Sequence, residues 1–157
     1  MKRVVITINR QYGSGGKTIG YMLAEKLGIP CYSREILQRA SEESGINESM
    51  FNARDERLKR LPKFLLSTNV YSGELLPPES KEFTSDQNLF NYEAEIIKKY
   101  AAEGSCVLIG RCADFVLKDD PDMISVYVHA DHDFQMKSAL ERVSTVSYTH
   151  LRAHETK

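Results

Sequence analysis

Val4-Val5-Ile6-Thr7-Ile8-Asn9-Arg10-Gln11-Tyr12-Gly13-Ser14-Gly15-Gly16-Lys17-Thr18 lies near the start of the chain, and its reading decides the fold. Val4 to Ile8 is a β-branched run without helical period, the pattern of a strand buried on both faces, as in a parallel sheet. A glycine cluster ends the strand. Apolar residues then return at Ile19, Met22, Leu23 and Leu27, the stripe of an amphipathic helix, and Gly28 is placed to stop it. The opening is therefore strand, glycine-rich turn, helix. The turn closes on Gly16-Lys17-Thr18. Glycines let a backbone wrap around phosphate, and the helix N-terminus adds positive potential. A lysine there reaches β/γ oxygens, and a hydroxyl can ligate Mg²⁺. The strict pattern G-x-x-x-x-G-K-[ST] has Gln11 in place of its first glycine. The plainer alternative is a glycine-rich helix entry with a solvated lysine.

Outward from this turn, strands and helices alternate. Ile29 to Tyr32 supplies a second short strand, and Ser33 is the expected N-cap of a helix carrying Ile36, Leu37 and Ala40, stopped by Gly45. Asn47 caps a further helix through Met50, Phe51 and Leu58, whose thin apolar stripe predicts a loosely attached, mobile element. Ser67 to Ser85 reads as a long loop. A strong helical pattern runs from Leu89 through Ala94, Ile97 and Ala101 to the stop at Gly104. Cys106 to Ile109 is another buried strand, followed by a short helix at Ala113 to Leu117 and a turn at Asp119 to Asp122. Ile124 to Val128 reads as a strand, and Asp131 caps a last helix with Phe134, Leu140 and Val143. Such alternation predicts an α/β parallel sheet with ligands at the carboxyl ends of its strands. Arg111, just past the third strand beside Gly110, stands at such an end, whereas the plainer reading of it is a surface arginine.

Composition excludes several classes. The 157 residues suit one domain. Apolar residues make up 41%, charged residues 27%, and net charge is −1, which offers no bulk attraction to nucleic acid or an anionic membrane. Cys31, Cys106 and Cys112 are an odd set without C-x-x-C spacing, which suits a reducing, cytoplasmic setting. No stretch reads as a signal peptide or a membrane span. His129 with His132, and His150 with His154, have chelating spacings but lack a third ligand. Arg54, Arg57, Lys59, Arg60 and Lys63 are interrupted by Asp55 and Glu56 and read as a solvated helix face.

The stretch Ile6 to Lys17, continued by Leu23-Ala24-Glu25-Lys26-Leu27-Gly28-Ile29-Pro30, resembles the start of the cytidylate kinase-like branch of P-loop nucleoside monophosphate kinases. The same branch is similar at Gly110-Arg111-Cys112-Ala113-Asp114, and the resemblance spans residues 1–143. It implies a P-loop NTPase-type, three-layer α/β fold with a parallel sheet, incomplete at the C-terminus. It also implies transfer of the ATP γ-phosphoryl group to a nucleoside monophosphate, CMP or dCMP. On that likeness Gly13, Ser14, Gly15, Gly16, Lys17 and Thr18 hold the ATP phosphates, with Thr18 on Mg²⁺. Lys17 and Arg111 act in catalysis. Ser33, Arg34, Arg111 and Asp114 meet the acceptor, within a domain whose region 47–86 moves. Nucleotides, not nucleic acid or membrane, are the expected partners. True cytidylate kinases carry Asp-Gly-Arg-Asp where this chain has Ile109-Gly110-Arg111-Cys112, and Asp114 is the candidate replacement carboxylate. The alternatives are a non-catalytic nucleotide-binding module and a P-loop kinase of another small molecule.

Ser144 to Lys157 departs from this pattern and resembles a peptide read from ligated sequencing-adaptor DNA. The expectation is a non-native tail. On that reading the arginine-bearing lid and a fifth strand are missing, and catalysis is impaired.

Overall fold

The computed structural model describes residues 2–60 and 73–141; the expectations for 61–72 and for the tail at 144–157 lie outside the described residues. Strand β1 (Val5–Arg10) leads through the glycine turn into helix α1 (Gly16–Leu27). Next come β2 (Cys31–Tyr32), α2 (Glu35–Ser44) and α3 (Glu48–Arg60). After the loop follow α4 (Asp86–Glu103), β3 (Cys106–Ile109), the single turn α5 (Ala113–Val116) and β4 (Met123–Val128). A sixth helix, α6, occupies 132–141. The four strands are parallel in the order β2-β3-β1-β4, with Val5 opposite Cys106 on one side and Met123 on the other. The sequence expectation of an α/β fold with a parallel sheet therefore holds.

Alternation along β1 and β3 divides the core between two faces, as the period of two requires. Ile6, Ile8, Val107 and Ile109 pack with Ala24 of α1. Val5, Cys106 and Leu108 face the other way, into a larger cluster with α2, α3 and α4 built on Ile36, Leu37, Phe51, Leu89 and Ile97. Helices on both faces of the sheet make the three layers. Gly20 lets α1 press onto the sheet, because a Cβ there would lie 2.7 Å from Ile109 Cδ1.

Helix ends follow local rules with one correction. Gly28 and Gly45 stop α1 and α2 in left-handed conformations, and Asn47 Oδ1 accepts from the Ser49 N–H at 2.9 Å. Ser33, expected as the N-cap of α2, gives that position to Arg34. The Glu35 carboxylate captures the Ser33 N–H at 2.8 Å, which holds Ser33 one residue outside the helix.

Helix α3 is fastened more firmly than its thin stripe indicates, since Phe51 is fully buried and Ile46 before it nearly so. Arg54, expected on a solvated face, is buried as well. Residues 73–85 are held by α4: buried Asn88 accepts from the Leu76 N–H at 2.8 Å and donates to the Phe83 carbonyl at 2.7 Å. Helix α6 is capped by Asp131, whose Oδ1 accepts from the Phe134 N–H at 2.8 Å. Phe134 and Leu140 are exposed. The contacts that fix α6 are polar instead: Gln135 Nε2 donates to Gln11 Oε1 at 2.8 Å and to the Ala130 carbonyl.

Candidate functional site: two joined clefts at the strand ends

The chain leaves β1 for β2 on one side and leaves β3 for β4 on the other, so the connections diverge at the carboxyl ends of β1 and β3. A parallel sheet opens its ligand crevice at such a point. Two clefts lie there. The smaller, about 370 Å³, is lined by Arg10 to Gly13, Gly15, Gly16 and Lys17. The larger, about 770 Å³, is lined by Ser33 and Arg34, by Asn52, Arg54 and Asp55 of α3, by Phe90 and Glu93 of α4, and by Arg111 and Cys112. Arg10 and Lys17 line both.

The turn is shaped by left-handed Gly13 and Gly15, at φ 78° and 79°, conformations that only glycine adopts without strain. A Cβ on Gly13 would lie 2.5 Å from the Gln135 carbonyl, and one on Gly16 equally close to the Arg10 Cβ. Around Gly15 nothing among the described residues lies within 4 Å of such a Cβ. Ser14 is buried, and both its hydroxyl and its N–H donate to the Gln11 carbonyl, at 2.7 and 3.2 Å. Its side chain thus structures the turn. Lys17 Nζ rests 5.8 Å from the centre of the Tyr21 ring, within reach of both clefts. Thr18 is exposed in the first turn of α1 and is not among the cleft-lining residues.

At the end of β3 the backbone takes three left-handed residues in succession, Gly110, Arg111 and Cys112, at φ 74°, 58° and 53°. Such geometry in non-glycine residues costs about 1–3 kcal/mol each and gathers at ligand sites. It turns Arg111 into the larger cleft, where Nη1 meets Asp55 and lies 3.7 Å from Glu93 Oε1. Glu93 Oε1 also accepts from Arg54 Nη1 at 2.9 Å. Burial holds the Glu93 carboxyl above the usual carboxylate range, against the pull of Arg54 and Arg111. Arg54 stacks 5.2 Å from the Phe90 ring centre, and its Nε is a buried donor without a partner among the described residues. The carboxylate contacts of Arg111 all fall on Nη1, so its Nε and Nη2 donors have none among the described residues. A planar fork with donors to spare suits a phosphate.

The structure brings Lys17, Ser33, Arg34 and Arg111 to one cleft. Arg34 also pairs with Glu48 at 3.3 Å across the mouth of α3. Asp114, in α5, is not among the lining residues. Sequence reasoning missed Arg10, Arg54, Asp55 and Glu93. A signal existed for two of them, because Glu93 stands at helical spacing between Leu89 and Ile97, and Arg54 three residues after Phe51.

Among the described residues no three His, Cys, Asp or Glu side chains converge as a metal-binding group. Burial pushes the thiols of Cys31 and Cys106 up to about 11, so both are protonated at neutral pH and poor nucleophiles. None of the described helices is long and apolar enough to cross a membrane.

Eleven chains of solved structures match this one. Among them is the crystal structure of an uncharacterized protein from Eubacterium ventriosum ATCC 27560, with a TM-score of 0.57 and 25% identity. The match covers 98% of this chain and 71% of that one. No curated protein matches. The profile of the cytidylate kinase-like family matches residues 5–153, nearly the whole length. An α/β parallel sheet, a glycine turn opening a helix and an arginine at the third strand's end agree with that match: this chain belongs to the cytidylate kinase-like family, whose members are nucleotide-kinase-like proteins.

Proposed function

We propose that this protein transfers the γ-phosphoryl group of ATP to a nucleoside monophosphate, CMP or dCMP. The observation that carries the reading is the pair of clefts that meet at Arg10 and Lys17, one over a glycine turn and one beside Arg111. A triphosphate laid on the turn would end where a monophosphate held by Arg111 begins. The preference for cytidine nucleotides rests on the family.

Direct transfer suits the groups present. The acceptor phosphate oxygen is already anionic at neutral pH, so no base has to remove a proton. A bond forms from that oxygen to the γ-phosphorus as the bond to the β,γ-bridging oxygen breaks, and its electron pair leaves with ADP. Positioning and charge neutralisation then supply the catalysis. N–H groups of Gly13 and of Gly15 to Thr18 orient the donor phosphates while Ser14 braces the turn, Lys17 places a point charge at their end, and Arg111 holds the acceptor phosphate. Ser33 and Arg34 border the rest of the acceptor. Burial raises the thiols of Cys31, Cys106 and the cleft-lining Cys112 alike, so none is poised as a thiolate for a covalent intermediate. Thr18, an exposed hydroxyl beside Lys17, can hold Mg²⁺ together with phosphate oxygens and water, and the ion would neutralise the β/γ oxygens.

The test is ADP formation from Mg·ATP with CMP, dCMP, UMP, AMP and GMP. CMP or dCMP should give the highest kcat/KM, and Lys17→Ala should lower turnover by about 100-fold or more. Absence of acceptor-dependent ADP formation with every nucleotide overturns the proposal; if ATP still binds by calorimetry, a panel of other small-molecule acceptors separates a P-loop kinase of another substrate from a non-catalytic nucleotide-binding module.

A further inference from the structure

Arg10 is the last residue of β1, has no role in the transfer proposed for Lys17 and Arg111, and shares with Lys17 alone the lining of both clefts. Its stem passes Gly16 at the start of α1, and a Cβ on Gly110 would collide with its Nη1. The side chain therefore runs from the glycine turn to the left-handed turn before Arg111, and it lines both clefts. Two glycines, one at each end, clear its path.

Charge balance sets Arg10 apart from the other arginines of the larger cleft. Arg34 pairs with Glu48, Arg54 with Glu93, and Arg111 with Asp55. Arg10 has no carboxylate partner among the described residues, and partial desolvation together with the like charge of Arg111 lowers its pKa from the ordinary arginine value. A partly desolvated guanidinium in the field of a second cation, with no carboxylate partner of its own among the described residues, is a cost that a bound anion relieves. Because it reaches both clefts, that anion need not belong to either nucleotide alone.

We infer that Arg10 is a catalytic residue that bridges the two nucleotides, its fork spanning the γ-phosphate of the donor and the phosphate of the acceptor where the phosphoryl group passes between them. This rests on the kinase reading and deepens it. A planar fork meets two oxygens at fixed spacing, which Lys17, a point charge, does not. The lysine and the arginine then divide the work: Lys17 serves the donor phosphates and Arg10 the junction.

The experiment compares wild type, Arg10→Gln and Arg10→Lys for binding of ATP alone, CMP alone, and a dinucleoside pentaphosphate that joins adenosine to cytidine. Turnover is measured alongside. Arg10→Gln should weaken the joined ligand about 10- to 100-fold more than it weakens ATP and CMP combined, the loss expected of a charge-assisted hydrogen bond. Arg10→Lys, which keeps the charge without the fork, should fall between, and kcat should drop more than either KM rises. If Arg10→Gln does not fold, the lysine variant alone carries the comparison. A joined-ligand loss no larger than the sum of the single losses overturns the inference and leaves the kinase reading standing. A wild type that binds neither ATP nor CMP overturns the kinase reading itself.

Discussion

Phe51 decides whether α3 belongs to the body of the domain or hangs from it. Its side chain is fully buried, packed with Ile36, Leu37, Ile46, Leu89 and Ile97 in the larger core cluster. Three and four residues on, the same helix delivers Arg54 and Asp55 to the lining of the larger cleft. Phe51→Ala removes the ring and leaves a cavity that Leu89 and Ile97, themselves fully buried, cannot collapse to fill. Burial of this kind costs about 3–5 kcal/mol on truncation, against a total stability of about 5–15 kcal/mol for a domain. Phe51→Leu, which keeps most of the volume, should cost about 1–1.5 kcal/mol. For a chain of this length, a loss of about 3–5 kcal/mol lowers the melting temperature by roughly 6–20 °C. Urea unfolding monitored by circular dichroism measures the loss as a shift of the midpoint at constant slope. Hydrogen exchange of the α3 amides tells global from local opening. A midpoint shift worth less than about 1 kcal/mol, with exchange protection lost in α3 alone, would refute the argument and make α3 a loosely attached element, as its stripe predicts.

Two further outcomes follow from the same geometry. Cys106 is buried in β3, and its thiol is raised from its ordinary 9.0 to about 11, so the unfolded chain loses this proton first. The stabilisation is complete below about pH 9 and drains away as pH rises towards 11, about 2–3 kcal/mol in all. Urea midpoints measured from pH 8 to 11 should fall more steeply for wild type than for Cys106→Ala, and equal slopes would contradict the assignment. Gly110→Ala places a methyl group at φ 74°, against Nη1 of Arg10. The left-handed strain should cost about 1–2 kcal/mol, and binding of the joined nucleotide ligand should weaken as Arg10 is displaced. Unchanged stability and unchanged affinity would show that the turn relaxes freely.

The opening stretch by itself determined the architecture around β1. Val4 to Ile8 has no alternation because both faces of the strand are covered, and glycines, caps and helical stripes act within a few residues of themselves. Strand, turn and helix were legible for that reason, as were Gly28, Gly45 and Asp131 as helix ends. The exposure of Phe134 and Leu140 was not, because a stripe on a helix says that one face is apolar and not what covers it.

Only the tertiary structure decided the larger cleft. Arg54 and Glu93 are 39 residues apart in sequence and 2.9 Å apart in space, and a buried charged pair is written with the same letters as two surface charges. Asp55 meets Arg111 across 56 residues for the same reason. Arg10 closes the opening strand, on the face of β1 shared with Ile6 and Ile8. Its place between two clefts depends on β3 lying beside β1 and on Gly110 leaving room for a guanidinium. Local sequence sets which groups a strand end can offer, and the pairing of strands distant in the chain sets what those groups face.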